Sequence, residues 1–293
     1  MKKIAIIIPT FNRCKLLEIS LNQLLQQSIR NNLFEIKIIV VNDGSTDSTE
    51  EMLNKKFPDV IQKKTAGNFW YTKSMNVGFK EAKKLNVDYI LTLNDDIELK
   101  DDYLVNIFDA ISKYSTPVIM GSTSVTYDKP YRITFSGVNK IKWWRVKQYF
   151  YHSYLEEIEL KKLSGIRESE ILPGRGMLID SKIVNSIGFF DEKLPQYGSD
   201  DEFCLRAKKK GYKVLISWDA IIYSHHELTG AGSPILKQSF FKYLQSFNNK
   251  YSRNYWKKFF YIHIKYGDVL TLPFSTLIFF LGEFYSYIKH KIK

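Results

Sequence analysis

The sequence predicts an α/β fold on a mostly parallel central sheet, with a helical appendage at its C-terminal end, and three observations carry that prediction. Ile4–Ile8 is a continuous β-branched run, the pattern of a strand buried on both faces. Leucines at helical spacing follow it. The same alternation of strand-like and helix-like stretches then repeats over roughly 100 residues, which implies βαβ units.

The elements read as follows. After the first strand, "TFNRCKLLEISLNQLLQQS" places Leu17, Leu21, Leu24 and Leu25 on one helical face. "FEIKIIVVND" is a second strand, "STDSTEEMLNKK" a short helix opened by capping residues, and "FWYTKSMNVGFKEAKKL" a longer helix. "VDYILTLNDD" is a further strand ending in acids. From about residue 117 the rhythm changes: "PVIMGSTSVTY" and "ITFSGVNKIKWWRV" read as strands without long helices between them, and Tyr149–Glu170 as a polar, mobile connection. Regular structure resumes at "ESEILPGRGMLIDSKIVNSIGFFDEKL", and "DDEFCLRAKKKGYKVLISW" is a helix stopped by Gly211 and followed by a strand.

In such a sheet a ligand lies beyond the carboxyl ends of the strands. "PTFNR", "VVNDGSTDST" and "LNDD" all fall there, so Asp43 and Asp96 should converge on one crevice. Asn94, Asp95 and Asp96 offer oxygen ligands suited to Mg²⁺ or Mn²⁺ carrying a diphosphate; the plainer reading is a solvated turn, or a cap for the helix beginning near Asp101. "GSDDEFCLRA" sets Asp200, Asp201 and Glu202 at a helix start, where the dipole favours negative charge. Capping explains one of the three. A carboxylate at a crevice can also act as general base toward a hydroxyl. Gly174 and Gly176 flank Arg175, so backbone there could approach a ligand closely or simply turn tightly. His225 and His226 close another strand, as metal ligands or as structural residues. The rings of Trp70, Tyr71, Trp143 and Trp144 are suited either to stacking on a sugar or base or to core packing.

Composition narrows the partners. The formal net charge is +12, and Lys237 to the end holds ten Lys/Arg against two acids, so +8 sits in the tail. That concentration, interleaved with rings, favours an anionic surface. The competing reading is a pair of basic amphipathic helices packed on the rest of the chain or on a second subunit of a homodimer. Cys14 and Cys204 form no CxxC pattern, which suggests neither a disulfide framework nor a zinc site and fits a cytoplasmic setting. "MKKIAIIIPT" has too short an apolar run before Pro9 for a secretory signal. Val269–Gly282, uncharged but interrupted by Pro273, is expected to lie on a bilayer without crossing it.

Taken in order, "IIIPTFNR", "VVNDGSTDST", "GNFWYTKSMNVGF", "TLNDD", "PGRGMLI" and "FDEKLPQYGSDDEFCLRAKKKGY" resemble family 2 glycosyltransferases of the GT-A fold, over roughly residues 2–230. The resemblance implies an inverting, metal-dependent transferase that uses a nucleotide-diphosphate sugar of UDP or dTDP type. It further implies a catalytic unit over 1–236, with a nucleotide-sugar half to about residue 120 and an acceptor half after it, followed by the 237–293 appendage. Under it, Pro9, Thr10, Asn12, Arg13, Asp43, Gly67, Asn68, Asn76 and Asp95 contact the nucleotide. Asp96 binds metal with His225 or His226, Asp200 (or Asp201, given that Ser199 stands where the family usually has Glu) is the base, and Trp70, Gly174, Arg175 and Gly176 meet sugar or acceptor. "GNFWYTKSMN" resembles a subgroup that includes rhamnosyltransferases, which implies a deoxysugar donor.

The resemblance also implies a saccharide acceptor, of bacterial surface-polysaccharide type and lipid-linked if the tail docks on the inner face of the cell membrane. Two rivals remain. A sugar nucleotidyltransferase should carry a Gly-rich phosphate loop, and "PTFNRCK" has no glycine. A nucleic-acid binder could use the basic, aromatic tail, but acids on the sheet edge would repel phosphate.

Overall fold

Nine residues of the first strand, β1 (Lys2–Thr10), run straight through the middle of the molecule, and their side chains alternate between two cores. Ile4, Ile6 and Ile8 pack on one face, Ala5 and Ile7 on the other. Burial on both faces is the reason the run is continuously apolar. The computed structural model describes residues 1–27, 34–225 and 239–292.

In chain order, β1 is followed by α1 (Cys14–Leu25), β2 (Phe34–Asn42), α2 (Thr49–Lys56), β3 (Ile61–Lys64), α3 (Trp70–Lys84) and β4 (Tyr89–Thr92). Then come β5 (Ile97–Leu99), α4 (Tyr103–Ser112), β6 (Val118–Thr126), β7 (Ile133–Phe135), β8 (Val138–Lys142) and β9 (Lys147–Phe150). β10 (Ile166–Glu168), β11 (Met177–Asp180), α5 (Ser181–Ile187), α6 (Ser199–Lys209) and β12 (Lys213–Ser224) complete the sheet region. Three helices close the chain: α7 (Phe240–Asn248), α8 (Trp256–Tyr266) and α9 (Leu272–Ile292).

The large sheet has the order β10-β12-β6-β11-β4-β1-β2-β3, with β5 added to β12 and β7 to β6. β1 pairs in parallel with β2 and β4, whereas β11 is antiparallel to both β4 and β6. That reversal positions the site. Met177 pairs with Thr92, so the loop preceding β11 arrives at the carboxyl end of β4, where the acidic loop begins.

Two expectations change. Tyr149–Glu170 is not a loose connection: Ile133 donates its N–H to Glu156 O and accepts from Leu155 N, Arg132 bridges Glu157, and β10 pairs with β12. Its backbone groups are spent on the β7 and β12 edges, and Leu163 is buried against Val125, Ile133 and Tyr223. Nor does Pro273 interrupt the apolar tail stretch. It falls in the first turn of α9, where a missing N–H costs no intrahelical bond. Val269–Lys291 is long and apolar enough by length and composition to cross a membrane.

The tail is also anchored. Glu202 on α6, fully buried, accepts from Lys265 Nζ (2.7 Å) and from the Tyr266 hydroxyl, while Tyr261 donates to Asp191. α8 thus packs on the sheet region through a polar network centred on buried Glu202. The boundary expected at residue 236 lies outside the described residues.

Candidate active site

Three loops meet beyond β1, β2 and β4. After β1, Asn12 takes a left-handed φ of 52° and its side-chain oxygen accepts from Thr46 N at 2.7 Å, while its own N–H donates to Ser45 Oγ at 2.9 Å. This ties the β1 and β2 loops together. Pro9, half-buried, stays in the strand opposite Val41. Asp43 then organises the next loop: its carboxylate accepts from the Thr65 hydroxyl and from the N–H groups of Phe69 and Trp70 (2.9–3.1 Å). Gly44 and Gly67, both at positive φ, let the two backbones touch, since a Cβ on Gly44 would lie 2.7 Å from Gly67 Cα. Asn68 is exposed on this loop, and Trp70, also at positive φ, stacks on Tyr251 with centroids 4.2 Å apart.

The acidic loop after β4 is held from β1. Asp95 accepts from the Thr10 hydroxyl (2.8 Å) and Arg13 (2.9 Å), and Arg13 also reaches Asp96 Oδ2 at 3.0 Å. Burial lifts the Asp95 pKa to about 6, against the pull of Arg13 and with a push from Asp96. Two oxygens in this loop, Asn94 Oδ1 and Asp96 Oδ1, are buried with no hydrogen-bond partner. Unpartnered buried oxygens two residues apart on one loop fit a divalent cation. Among the described residues no group of three or more His, Cys, Asp and Glu could hold a metal without such help. His225 lies beside them: its backbone N is 3.5 Å from Asp96 O, its Nε2 is 2.8 Å from Glu98 Oε1 and its ring stacks on Tyr127. His226 lies outside the described residues.

The loop before β11 supplies the far wall. Arg175 donates to Ser224 Oγ at 3.0 Å, its Nε is buried without a partner, and the charges of Asp96 and Asp200 both act on it. Burial nevertheless pulls its pKa down. Gly174 N donates to Asp200 Oδ2 at 2.8 Å, and Gly176 N to Thr92 O at 2.8 Å. A Cβ on Gly174 would sit 1.7 Å from the Tyr71 hydroxyl, a buried group with no partner whose pKa is raised by burial and by Asp200. Gly174→Ala is therefore expected to destabilise by about 1–3 kcal/mol and to lower activity, with Tyr71→Phe restoring part of both; paired thermal melts of the single and double variants check it.

Asp200, Asp201 and Glu202 have three different tasks, and the cap of α6 is not one of them, since Gly198 stands there at φ 87° with no side-chain cap bond. Asp200 accepts from Gly174 N and Asp201 N, Glu202 binds the tail, and Asp201 faces the charges of Lys258 and Arg253. Burial and the Asp200 charge push Asp201 up to about 7. Sequence reasoning missed Lys258, Arg253 and Tyr251, because no local pattern tells that a tail segment returns to α6 and Trp70. Asn76 departs from expectation. Its amide donates to Phe190 O and Glu192 Oε1 and accepts from Phe190 N, so it secures that loop and has no free donor for a nucleotide.

Residues 5–166 match glycosyl transferase family 2. The chain belongs to this family. Two curated family relatives are similar to it: glycosyltransferase GlyA of Streptococcus pneumoniae (26% identical over 125 residues, 41% of this chain and 16% of that protein) and poly(ribitol-phosphate) beta-N-acetylglucosaminyltransferase TarP of Staphylococcus aureus (27% over 130 residues, 43% and 38%). The chain thus spans well under half the length of either. Among solved structures, the mannosyltransferase PcManGT from Pyrobaculum calidifontis, in complex with GDP-Man and Mn²⁺, aligns with a TM-score of 0.55 at 15% identity, over 94% of this chain and 74% of that one. The fold of this family 2 chain is therefore GT-A.

Proposed function

We propose that this chain moves a hexosyl or deoxyhexosyl group from a nucleotide-diphosphate sugar to a hydroxyl of a saccharide acceptor, with inversion at the anomeric carbon. One observation carries the reading: the loop before β11 donates from Gly174 N to Asp200 Oδ2 and from Gly176 N to Thr92 O, each at 2.8 Å, so the start of α6 and the end of β4, where the acidic loop begins, are held to one place with Arg175 between them. Family membership and the GT-A fold support it.

In this mechanism Asp200, oriented by Gly174 N and Asp201 N, takes the proton of the acceptor hydroxyl as that oxygen bonds to the anomeric carbon. The bond from that carbon to the diphosphate breaks, and the nucleotide diphosphate leaves with the electron pair. Arg175, with its unpartnered Nε, and Arg13 are the cations placed to meet the leaving charge. Asn94 and Asp96 would hold Mn²⁺ or Mg²⁺, which supplies Lewis-acid neutralisation of the departing diphosphate. Trp70 and Tyr251 offer a stacked aromatic wall for a sugar or base. The name of TarP describes N-acetylglucosaminyl transfer onto poly(ribitol-phosphate), which supports an acceptor that belongs to a growing polymer.

The test is a screen of UDP-, dTDP- and GDP-sugars, dTDP-rhamnose among them, with Mn²⁺ or Mg²⁺. One nucleotide class is expected to raise the melting point only with metal, by an amount equivalent to about 2.7 kcal/mol at a hundredfold excess over Kd, and Asp96→Ala to remove the gain. Stabilisation by no sugar nucleotide under either metal would sink the reading.

A further inference from the structure

α9 is amphipathic the wrong way round. Ser275, Phe279, Glu283 and Tyr287 recur every four residues and face the protein. Ser275 Oγ donates to Trp143 O at 3.2 Å, Phe279 stacks on Phe259 with centroids 4.6 Å apart, and Tyr287 stacks on Tyr243 at 4.2 Å. Glu283, the only charged residue of the helix before Lys289, lies half-buried with Arg253 and Lys258 as its charged neighbours. The opposite face is apolar and open: Leu277 is 55% exposed, Leu281 60% and Tyr285 67%, and Phe241 of α7 beside it is 77% exposed. Over 21 residues this stripe is roughly 30 Å long. A surface helix of a soluble chain carries its polar side outward.

Cations lie at both ends of the stripe. Lys289, His290 and Lys291 follow Ile288 at one end; at the other, Trp144 stacks on Phe274 and carries Arg145 over its ring at 4.8 Å. Residues 239–292 hold eight Lys/Arg against two acids. An apolar stripe with aromatic and basic ends matches a bilayer of anionic lipid, where each Lys or Arg near the surface adds attraction.

We infer that α9, with the adjoining α7 edge, lies in the plane of an anionic membrane surface, its outward stripe in the headgroup and acyl boundary. The helix is long enough to span. Spanning would strip Ser275, Phe279 and Tyr287 of their partners and draw Glu283 into hydrocarbon, which is costly. A second copy fits less well, because two surfaces carrying this excess of positive charge would repel each other.

The experiment sediments the full chain with phosphatidylcholine vesicles and with phosphatidylcholine/phosphatidylglycerol vesicles, beside the double variant Leu277→Glu/Leu281→Glu. Both positions are exposed, so the variant should melt as the parent does; hydrolysis of the nucleotide sugar, independent of this face, reports the site separately. Expected are pelleting with the phosphatidylglycerol vesicles, release by high salt without detergent, and on the order of a tenfold or greater loss of binding in the variant. Equal pelleting of variant and parent, no pelleting, or retention that only detergent breaks would each overturn the inference. So would a stable dimer in light scattering that the double variant turns into monomer while vesicles stay unbound, which would assign the face to a second copy.

Discussion

Asp200→Asn is expected to lower sugar transfer by roughly 10²–10⁴-fold while leaving nucleotide-sugar binding nearly unchanged. The substitution keeps shape and one of the two backbone N–H groups keeps its acceptor, while the other meets the amide NH2, and the amide cannot take a proton from the acceptor hydroxyl. The neighbouring acid should behave differently. Asp200 receives two backbone N–H bonds that favour its ionised form, whereas Asp201 is pushed to about 7 by burial and by Asp200, so near neutrality the proton resides on Asp201. Asp201→Asn should then keep transfer within about tenfold of the parent. Because Asp201 has a folded pKa of about 7, above the ordinary 3.8, the unfolded chain releases its proton first, and the stability this acid contributes is lost as pH rises from the ordinary value through about 7. Asp201→Asn should accordingly melt above the parent at pH 8, with the gap closing toward pH 5. Steady-state transfer, titration with nucleotide sugar and melts at the two pH values check all three; full turnover by Asp200→Asn would move the base to Asp201.

Much of the strand and helix order was legible because it is local. The continuous run Ile4–Ile8 reports burial on two faces, and the acids at positions 94–96 and 200–202 stand out against their flanks. What the sequence could not display is pairing between distant segments. Nothing near Gly174 announces that its N–H meets Asp200 and its Cα leaves room for Tyr71, a fit created when β11 runs antiparallel to β4. The surroundings of His225 were hidden for the same reason: β5 pairs with β12 and brings Glu98 to the ring. Asp43 and Asn76 carry polar groups of the right type, and these are consumed by protein partners from residues 65–70 and 190–192. Pro273 was read as an interruption because its position within the first turn depends on where α9 begins.

The largest stability effect is expected at Glu202. Its carboxylate, fully buried, accepts from Arg206 at 2.9 and 3.2 Å, from Lys265 at 2.7 Å and from Tyr266, and it joins α6 to α8. Against the lowering effect of burial, Glu202 and Tyr261 hold the Lys265 pKa above its usual value. Glu202→Gln leaves Arg206 and Lys265 facing a neutral amide, the situation in which breaking a buried pair costs roughly 3–5 kcal/mol. Lys265 is about a third exposed, so water recovers part of that and the lower end, about 3 kcal/mol, is expected. That corresponds to a melting point lower by roughly 6–12 °C. Lys265→Met should cost less, since Arg206 still pairs with Glu202, and the double variant should fall short of the sum of the two by about 0.5–3 kcal/mol because both remove one interaction. If Glu202→Gln melted within a degree of the parent, α8 would be held by its apolar contacts instead, and Lys258 beside Asp201 would owe its place to Ile262 and Tyr266 packing on the core.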